Sequence, residues 1–243
     1  MSIFARQMKN NTNSGKRHAI RVALIILVCI AVAKIYMYCA QVLYENTANK
    51  HWQGARYLAR KSNPANISAA DSCAGLLHTG DLVVRRGDDM TSFMLSQLNR
   101  RDKSYSHCGL VIVENGKPYV YHSIGGEDNP DALLRRDPAE TWFSPANNLC
   151  IATYRYDMSD SIINRLVDMV YTYYREKRMF DMDFDIETDD RLYCSEMVYK
   201  AVSTATGDIS YIPSGDAYGK HFTGVDDLYL NQHTRCICQV RYK

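Results

Sequence analysis

The sequence predicts an α+β domain behind a single membrane-spanning helix, and three observations carry that expectation. Two strand-like runs, 108–114 and 118–124, flank Asn115-Gly116, the strongest short-range hairpin signal. Ile162, Ile163, Leu166, Met169, Val170 and Tyr173 recur at three- and four-residue spacings, the pattern of an amphipathic helix. Residues 22–40 (VALIILVCIAVAKIYMYCA) contain one charged side chain, Lys34. A helix of that length covers the roughly 30 Å hydrocarbon core of a bilayer.

The apolar run organises the chain. Residues 1–18 carry Arg6, Lys9, Lys16 and Arg17 and no acidic residue, so they form a basic tail that stays in the cytoplasm. An anchor over 19–40 then places everything downstream on the other side, which in a bacterium is the periplasm. Lys34 can snorkel to the far interface, where Tyr36 and Tyr38 suit an aromatic belt. Two alternatives compete with the anchor: a cleaved signal peptide, against which the length of the run counts, and a buried or interfacial amphipathic helix. Residues 41–71 read as a juxtamembrane helix and connector, with a glycosylation sequon at Asn66-Ile67-Ser68 if the source is eukaryotic. The folded domain is expected over 72–243.

Within that domain, 82–85 reads as a short apolar strand, 90–99 as a helix and 149–154 as a strand. Helices follow at 161–178 and 193–205, and a last strand at 235–242. Strands clustered with two principal helices imply a central antiparallel sheet packed on helices. The formal net charge of +2 over 243 residues gives no basic surface for nucleic acid. No zinc finger and no phosphate-binding glycine loop is present, so neither a metal nor a cofactor is expected. Six of the eight cysteines lie outside the apolar run and fit no zinc template. Cys236 and Cys238 are poor partners for each other, and pairing between distant cysteines stays open.

Two segments can carry chemistry. Cys194, at the start of the 193–205 helix, feels the positive end of the helix dipole and its free N–H groups, which favour a thiolate. A thiolate nucleophile needs a base, and His107 at the mouth of the hairpin's first strand is the leading candidate. Counting from the turn, His107 and His122 are offset by about two residues across the ladder, a reachable diagonal. His122 can therefore hold the far ring nitrogen of His107 and set its tautomer. Tyr105, Ser106, Tyr193 and Asp81 are expected to line the substrate groove. Taken singly, a buried cysteine or a strand-end histidine is more often structural than catalytic. Asp181, Asp183, Asp185, Glu187, Asp189 and Asp190 form an acidic stretch whose spacing departs from the calcium-loop template, so a solvated loop is favoured over a cation site.

Gly80-Asp81-Leu82-Val83, Ser106-His107-Cys108-Gly109-Leu110-Val111-Ile112, Phe180-Asp181-x-x-Phe184 and Leu192-Tyr193-Cys194-Ser195-Glu196-Met197-Val198-Tyr199 occur in that order. The order resembles YiiX/YaeF-like permuted papain-like enzymes of the NlpC/p60 superfamily, over roughly residues 75–215, with histidine before cysteine. The resemblance implies a circularly permuted papain-like fold, Cys194 as nucleophile, His107 as base and His122 as third polar residue. Family members often carry Glu at that last position, so His122 is a departure. A histidine there resembles the related lecithin-retinol-acyltransferase-like branch, which keeps acyl transfer open. The resemblance implies a thiol amidase or peptidase acting on peptide or cell-wall amide bonds, and membrane attachment adds a lipid-linked amide as a candidate substrate. A lipid-directed acyltransferase or esterase and a catalytically silent, membrane-tethered binding module are the alternatives.

Overall fold

The computed structural model describes residues 20–39, 57–126, 129–217 and 219–243. The chain divides into two units, Met1–Ala55 and Arg56–Lys243. In the first, α1 (Ile20–Cys39) is one 20-residue helix of mean hydropathy 2.4, with length and composition sufficient to cross a bilayer. The basic tail and the segment 40–56 lie outside the described residues.

In the second unit residues 57–62 are helical and lead into α2 (Pro64–Ala74), both inside the expected connector. Asn63 caps it by accepting the Ala65 N–H at 3.0 Å, and Pro64 occupies the first turn, where its missing N–H costs nothing. Ala70 and Cys73 are buried, and Cys73 forms a disulfide with Cys238 across a Cα–Cα distance of 5.8 Å. The body of the fold therefore starts upstream of the expected boundary at Ser72. Asn66, the sequon asparagine, is also buried and donates to Arg60 O at 3.0 Å and Lys243 O at 2.8 Å. Its amide clasps the two ends of this unit and is not open to modification in the folded state.

Next come β1 (Leu82–Arg86), α3 (Met90–Gln97), β2 (His107–Glu114), β3 (Lys117–His122), β4 (Arg135–Pro138), α4 (Ala139–Phe143) and β5 (Cys150–Tyr156). They are followed by α5 (Asp160–Arg175), α6 (Cys194–Thr206), β6 (Gly215–Ala217), β7 (Lys220–Phe222) and β8 (Thr234–Arg241). Six strands form one antiparallel sheet in the order β4-β3-β2-β1-β5-β8, and β6 pairs with β7. Asn115 (φ 50°) and Gly116 (φ 77°) are both left-handed, as a two-residue hairpin turn compatible with strand twist requires. Helix α5 stops at Arg175, short of the expected 178, because Lys177 adopts φ 56°.

Both faces of the sheet are covered. Leu82, Val84, Cys108, Leu110, Ile112, Tyr121 and Ala152 pack against α5 and α6, through residues such as Leu166, Val170, Met197, Val198 and Ala201. Val83, Val111, Val120 and Ile151 pack on the other side against Ala70, Cys73, Trp142 and Phe143. Two-sided burial explains why β1 and β2 read as continuous apolar runs instead of alternating. Each fully buried Leu, Ile or Val contributes roughly 1.5–3 kcal/mol, so the central strands form the most stable platform available for a site. One glycine adjusts that platform. A Cβ on Gly109 would meet Val120 Cγ1 at 2.6 Å, Tyr121 O at 2.8 Å and His122 Cβ at 3.0 Å. The bare backbone there lets β3 approach β2 and admits the His122 side chain beside it.

Candidate active site

Helix α6 starts where it does for local reasons. Leu192 is pinned by donating its N–H to Met179 O at 2.9 Å, and Tyr193 is extended (φ −81°, ψ 168°), which makes Cys194 the first helical residue. Glu196 reaches back to accept the Tyr193 N–H at 2.9 Å, one half of a capping box. Burial pushes the Glu196 carboxyl up to about 7, against the pull of Lys200 Nζ at 3.0 Å. The Ser195 hydroxyl donates to Thr223 O at 2.7 Å and anchors the first turn. N–H groups of that turn have no intrahelical acceptor, and they face the position where negative charge is best placed.

The Cys194 thiol is half-buried and lies against Cys108. Hydrogen bonding from the Cys108 thiol lowers the pKa of Cys194, against the opposing effect of burial, with further help from the N–H groups of Cys108 and Ser195. Cys108 responds oppositely: burial, then its role as donor to Cys194, pushes its thiol far up. Of this pair Cys194 is the thiol that ionises first, and Cys108 the S–H that donates to it.

His107 and His122 stand on the opposite face of the sheet, around Trp142, whose ring centroid is 5.1 Å from His107 and 4.8 Å from His122. His107 Nε2 is 2.9 Å from His122 Nδ1, and His122 Nε2 is 3.0 Å from Asp137 Oδ2. The His122 hydrogen bond holds the Asp137 carboxyl down at about 2, so it is an acceptor at neutral pH. The tautomers follow in sequence. Asp137 takes the proton on His122 Nε2, which leaves His122 Nδ1 as acceptor for His107 Nε2–H. The lone pair of His107 then lies on Nδ1. Burial, reinforced by His122, Arg85 and Arg135, lowers the His107 pKa well below its ordinary value, so the ring is neutral at physiological pH. Burial lowers His122 too, opposed by Asp137.

Cys194 and His107 line the same cavity, of about 570 Å³, at the end of the sheet where α6 begins. No hydrogen bond joins them among the described residues. Catalytic hydrogen bonds commonly tighten only once substrate is bound. Ser106 and Tyr193 also line the cavity, as do Phe180 and Phe184 from the Phe-Asp-x-x-Phe segment. Tyr193 stacks on Phe222 at 5.5 Å and contacts Phe184 at 5.3 Å, giving the cavity an aromatic wall beside the thiol.

Two residues expected in the groove lie elsewhere. Tyr105 is fully buried in the core facing α6, and its hydroxyl accepts from Gln239 Nε2 at 2.9 Å. Asp81 precedes β1, whereas the cavity adjoins Arg85 near the other end, about 13 Å away along a strand. There Asp81 pairs with Arg155 at 2.7 Å and accepts the His78 N–H at 2.8 Å, in a separate cavity of about 490 Å³. Cys108, Asp137, Arg85 and Trp142 also surround the candidate groups, and the sequence does not single them out. Arg85 carried a signal, the charge that ends the apolar run of β1, but Asp137 sits on a short polar strand without one.

In the acidic stretch, Asp181 is buried and accepts the N–H groups of Asp183 at 2.8 Å and Asp185 at 2.6 Å, so it builds the loop. No group of three or more His, Cys, Asp or Glu side chains among the described residues could hold a metal ion.

Three comparisons bear on this arrangement. A family model described as a permuted papain-like amidase enzyme, YaeF/YiiX, C92 family, matches residues 76–212. The uncharacterized protein YiiX of Escherichia coli (strain K12) is 25% identical over 131 residues, 53% of this chain and 59% of that protein. The chain thus matches under two thirds of that relative's length. The crystal structure described as metalloprotein yiiX from Escherichia coli O157:H7 superposes with a TM-score of 0.57 at 20% identity, covering 68% of this chain and 99% of that one, which establishes a shared fold. With the family's segments aligned across more than half of its length, the chain belongs to the permuted papain-like amidase family of YaeF and YiiX.

Proposed function

We propose that this chain is a membrane-anchored cysteine amidase that works through Cys194, His107, His122 and an acyl-enzyme, and that it shares ancestry with NlpC/p60 hydrolases. The observation that carries the reading is a thiol favoured as thiolate at a helix N-terminus, sharing one cavity with a neutral histidine whose basic nitrogen is selected by His122 and Asp137.

The chemistry follows from those groups. Cys194 Sγ attacks the amide carbonyl, and the oxyanion that forms is met by the Cys194 N–H and the dipole of α6. His107 Nδ1 takes the thiol proton and returns it to the departing amine, leaving a thioester on Cys194. Water, deprotonated by the same nitrogen, then releases the acid. Asp137 and His122 hold the ring and stabilise its charged form, the role a single carboxylate plays in a simpler triad. His122 Nδ1 lies on the path from His107 to Asp137, so a Glu in its place would shorten the relay without changing its polarity.

The test uses chromogenic acyl anilides and acyl esters of graded chain length, acid-quenched and examined by intact mass. An adduct on Cys194 that neutral hydroxylamine removes is the expected result, and the preferred chain length separates peptide-like from lipid-like substrates. The competing reading, a silent binding module, is favoured by the missing bond between Cys194 and His107. Absence of any Cys194 adduct from a folded protein would establish it.

The anchor is part of the proposal. Helix α1 has the length and composition for a span, the basic tail favours a cytoplasmic N-terminus, and the Cys73–Cys238 disulfide suits an oxidising compartment such as the periplasm. The protein is expected to stay in the membrane fraction through alkaline carbonate washing; recovery in the supernatant would defeat the anchor.

A further inference from the structure

The charged groups around the cavity are unevenly satisfied. Asp88 is ion-paired with Arg60. Asp89 caps α3, accepting the Ser92 N–H at 2.8 Å and its hydroxyl at 2.8 Å. Asp137 is shared between His122 and Arg135, the latter at 3.1 Å. Arg85 differs: among the described residues its guanidinium has no hydrogen bond and no ion pair. Its guanidinium lies 4.5 Å over the face of Trp142, an aromatic contact that orients the cation without using its N–H donors.

Its position is as informative as its lack of a partner. Arg85 and His107 are directly paired across β1 and β2, so their side chains leave the same face of the sheet, about 5 Å apart at Cβ. Both line the cavity that holds Cys194. Burial, helped by Arg135, lowers the Arg85 pKa, against the favourable fields of Asp137, Asp89 and an ionised Cys194. An arginine stays protonated under such opposition, which makes this a charge held partly out of water with its donors unspent.

We propose that Arg85 is an anion-binding residue of the substrate cavity, so that the molecules processed at Cys194 carry a carboxylate or phosphate group beside the reacting carbonyl. The inference rests on the cysteine-hydrolase reading for the word substrate, but the anion site itself does not. The planar fork of an arginine fits both oxyanions through two parallel N–H···O bonds. An amide formed on an amino acid bears the first kind of group and a phospholipid-derived amide the second.

Two measurements on the full-length protein in detergent test this at constant ionic strength. The first alkylates the protein with iodoacetate and with iodoacetamide, which differ in charge at nearly equal size, and reads the rate at Cys194 by peptide mass spectrometry, separately from exposed Cys29, Cys39 and Cys236. The ratio of the iodoacetate rate to the iodoacetamide rate is expected to fall about tenfold in Arg85→Gln, the size of a lost charge-assisted contact, and to fall less in Arg85→Lys. The second follows Trp142 emission in a Trp52→Phe background during titration with sodium phosphate and with sodium acetate. A saturable change is expected with at least one anion, and its absence in Arg85→Gln. Stronger saturation by phosphate points to a phosphate-bearing substrate, and stronger saturation by acetate to a carboxylate.

The outcomes separate the two ideas. A reactive Cys194 whose alkylation ratio is the same in wild type and Arg85→Gln, with no Arg85-dependent emission change, overturns the anion site and leaves the hydrolase standing. An emission change that requires Arg85, at a Cys194 no more reactive than Cys236, keeps the anion site and removes the hydrolase. Arg135→Gln, at a cation already bonded to Asp137, should leave the Trp142 titration intact; its loss there would move the anion site away from Arg85.

Discussion

Cys194→Ala is expected to abolish the acyl adduct and to lower turnover of any cleaved amide or ester by on the order of 10⁴-fold or more, the scale of losing a covalent nucleophile. The prediction follows from placing the only half-buried free thiol of the cavity at the first turn of α6. Cys108→Ala should behave differently. It removes the donor that most lowers the Cys194 pKa, so the pH profile of Cys194 alkylation should move to higher pH with the thiol still reactive. The sign is fixed by the direction of the shift: a depressed thiol keeps its thiolate until the pH falls through the depressed value, and loss of the depressing bond raises that limit. Rates for the two variants across pH 5 to 10 decide the matter. Turnover persisting in Cys194→Ala, or an unmoved profile in Cys108→Ala, would refute the respective assignment.

The second large effect is expected at His107. Replacement by alanine removes the base and should cost about 10²–10⁴-fold in turnover at neutral pH. Asp137→Asn tests the relay behind it. An amide can present N–H to His122 Nε2, which reverses both tautomers and leaves the lone pair of His107 on the nitrogen facing His122 instead of on Nδ1. Activity should fall in this variant with the fold intact, and a wild-type rate would show that the relay is structural only. Acid has a predictable effect as well. His107 and His122 both have lowered pKa values, so the folded state binds their protons less readily than the unfolded chain does. Their contribution to stability is present above the free imidazole value of about 6.5 and is lost as pH falls below it. The base limb of the rate profile falls in the same direction, at the depressed His107 value.

Much of the frame was legible in the residues. Asn115-Gly116 located the hairpin because both positions need left-handed backbone, and the resulting count placed His107 and His122 on a diagonal that the structure closes at 2.9 Å. The apolar spacing of 162–173 marked α5, and the ordered segments around Gly80, His107, Phe180 and Cys194 identified the family. Such features depend on neighbours in sequence or on strict periodicity, and a single chain displays them.

What tertiary structure decided depends on residues brought together from afar. Helix α2 looked like a connector, since it buries only Asn66, Ala70 and Cys73, and its docking rests on a disulfide to Cys238, 165 positions away. Asp81 belonged to the right motif yet serves the scaffold, because the five residues of β1 carry it beyond the cavity, and Tyr105 beside Ser106 is taken up by the core. Cys108 appeared as a bland neighbour of His107, but strand alternation sends it through to the face that meets Cys194. Asp137 and Arg85 gained their meaning only when β4 and β1 came to flank the histidines at opposite sides of the hairpin. Sequence by itself determined the hairpin, the two principal helices and the family. Folding determined which charge each group feels, because electrostatics acts over ångströms in space and is indifferent to separation along the chain.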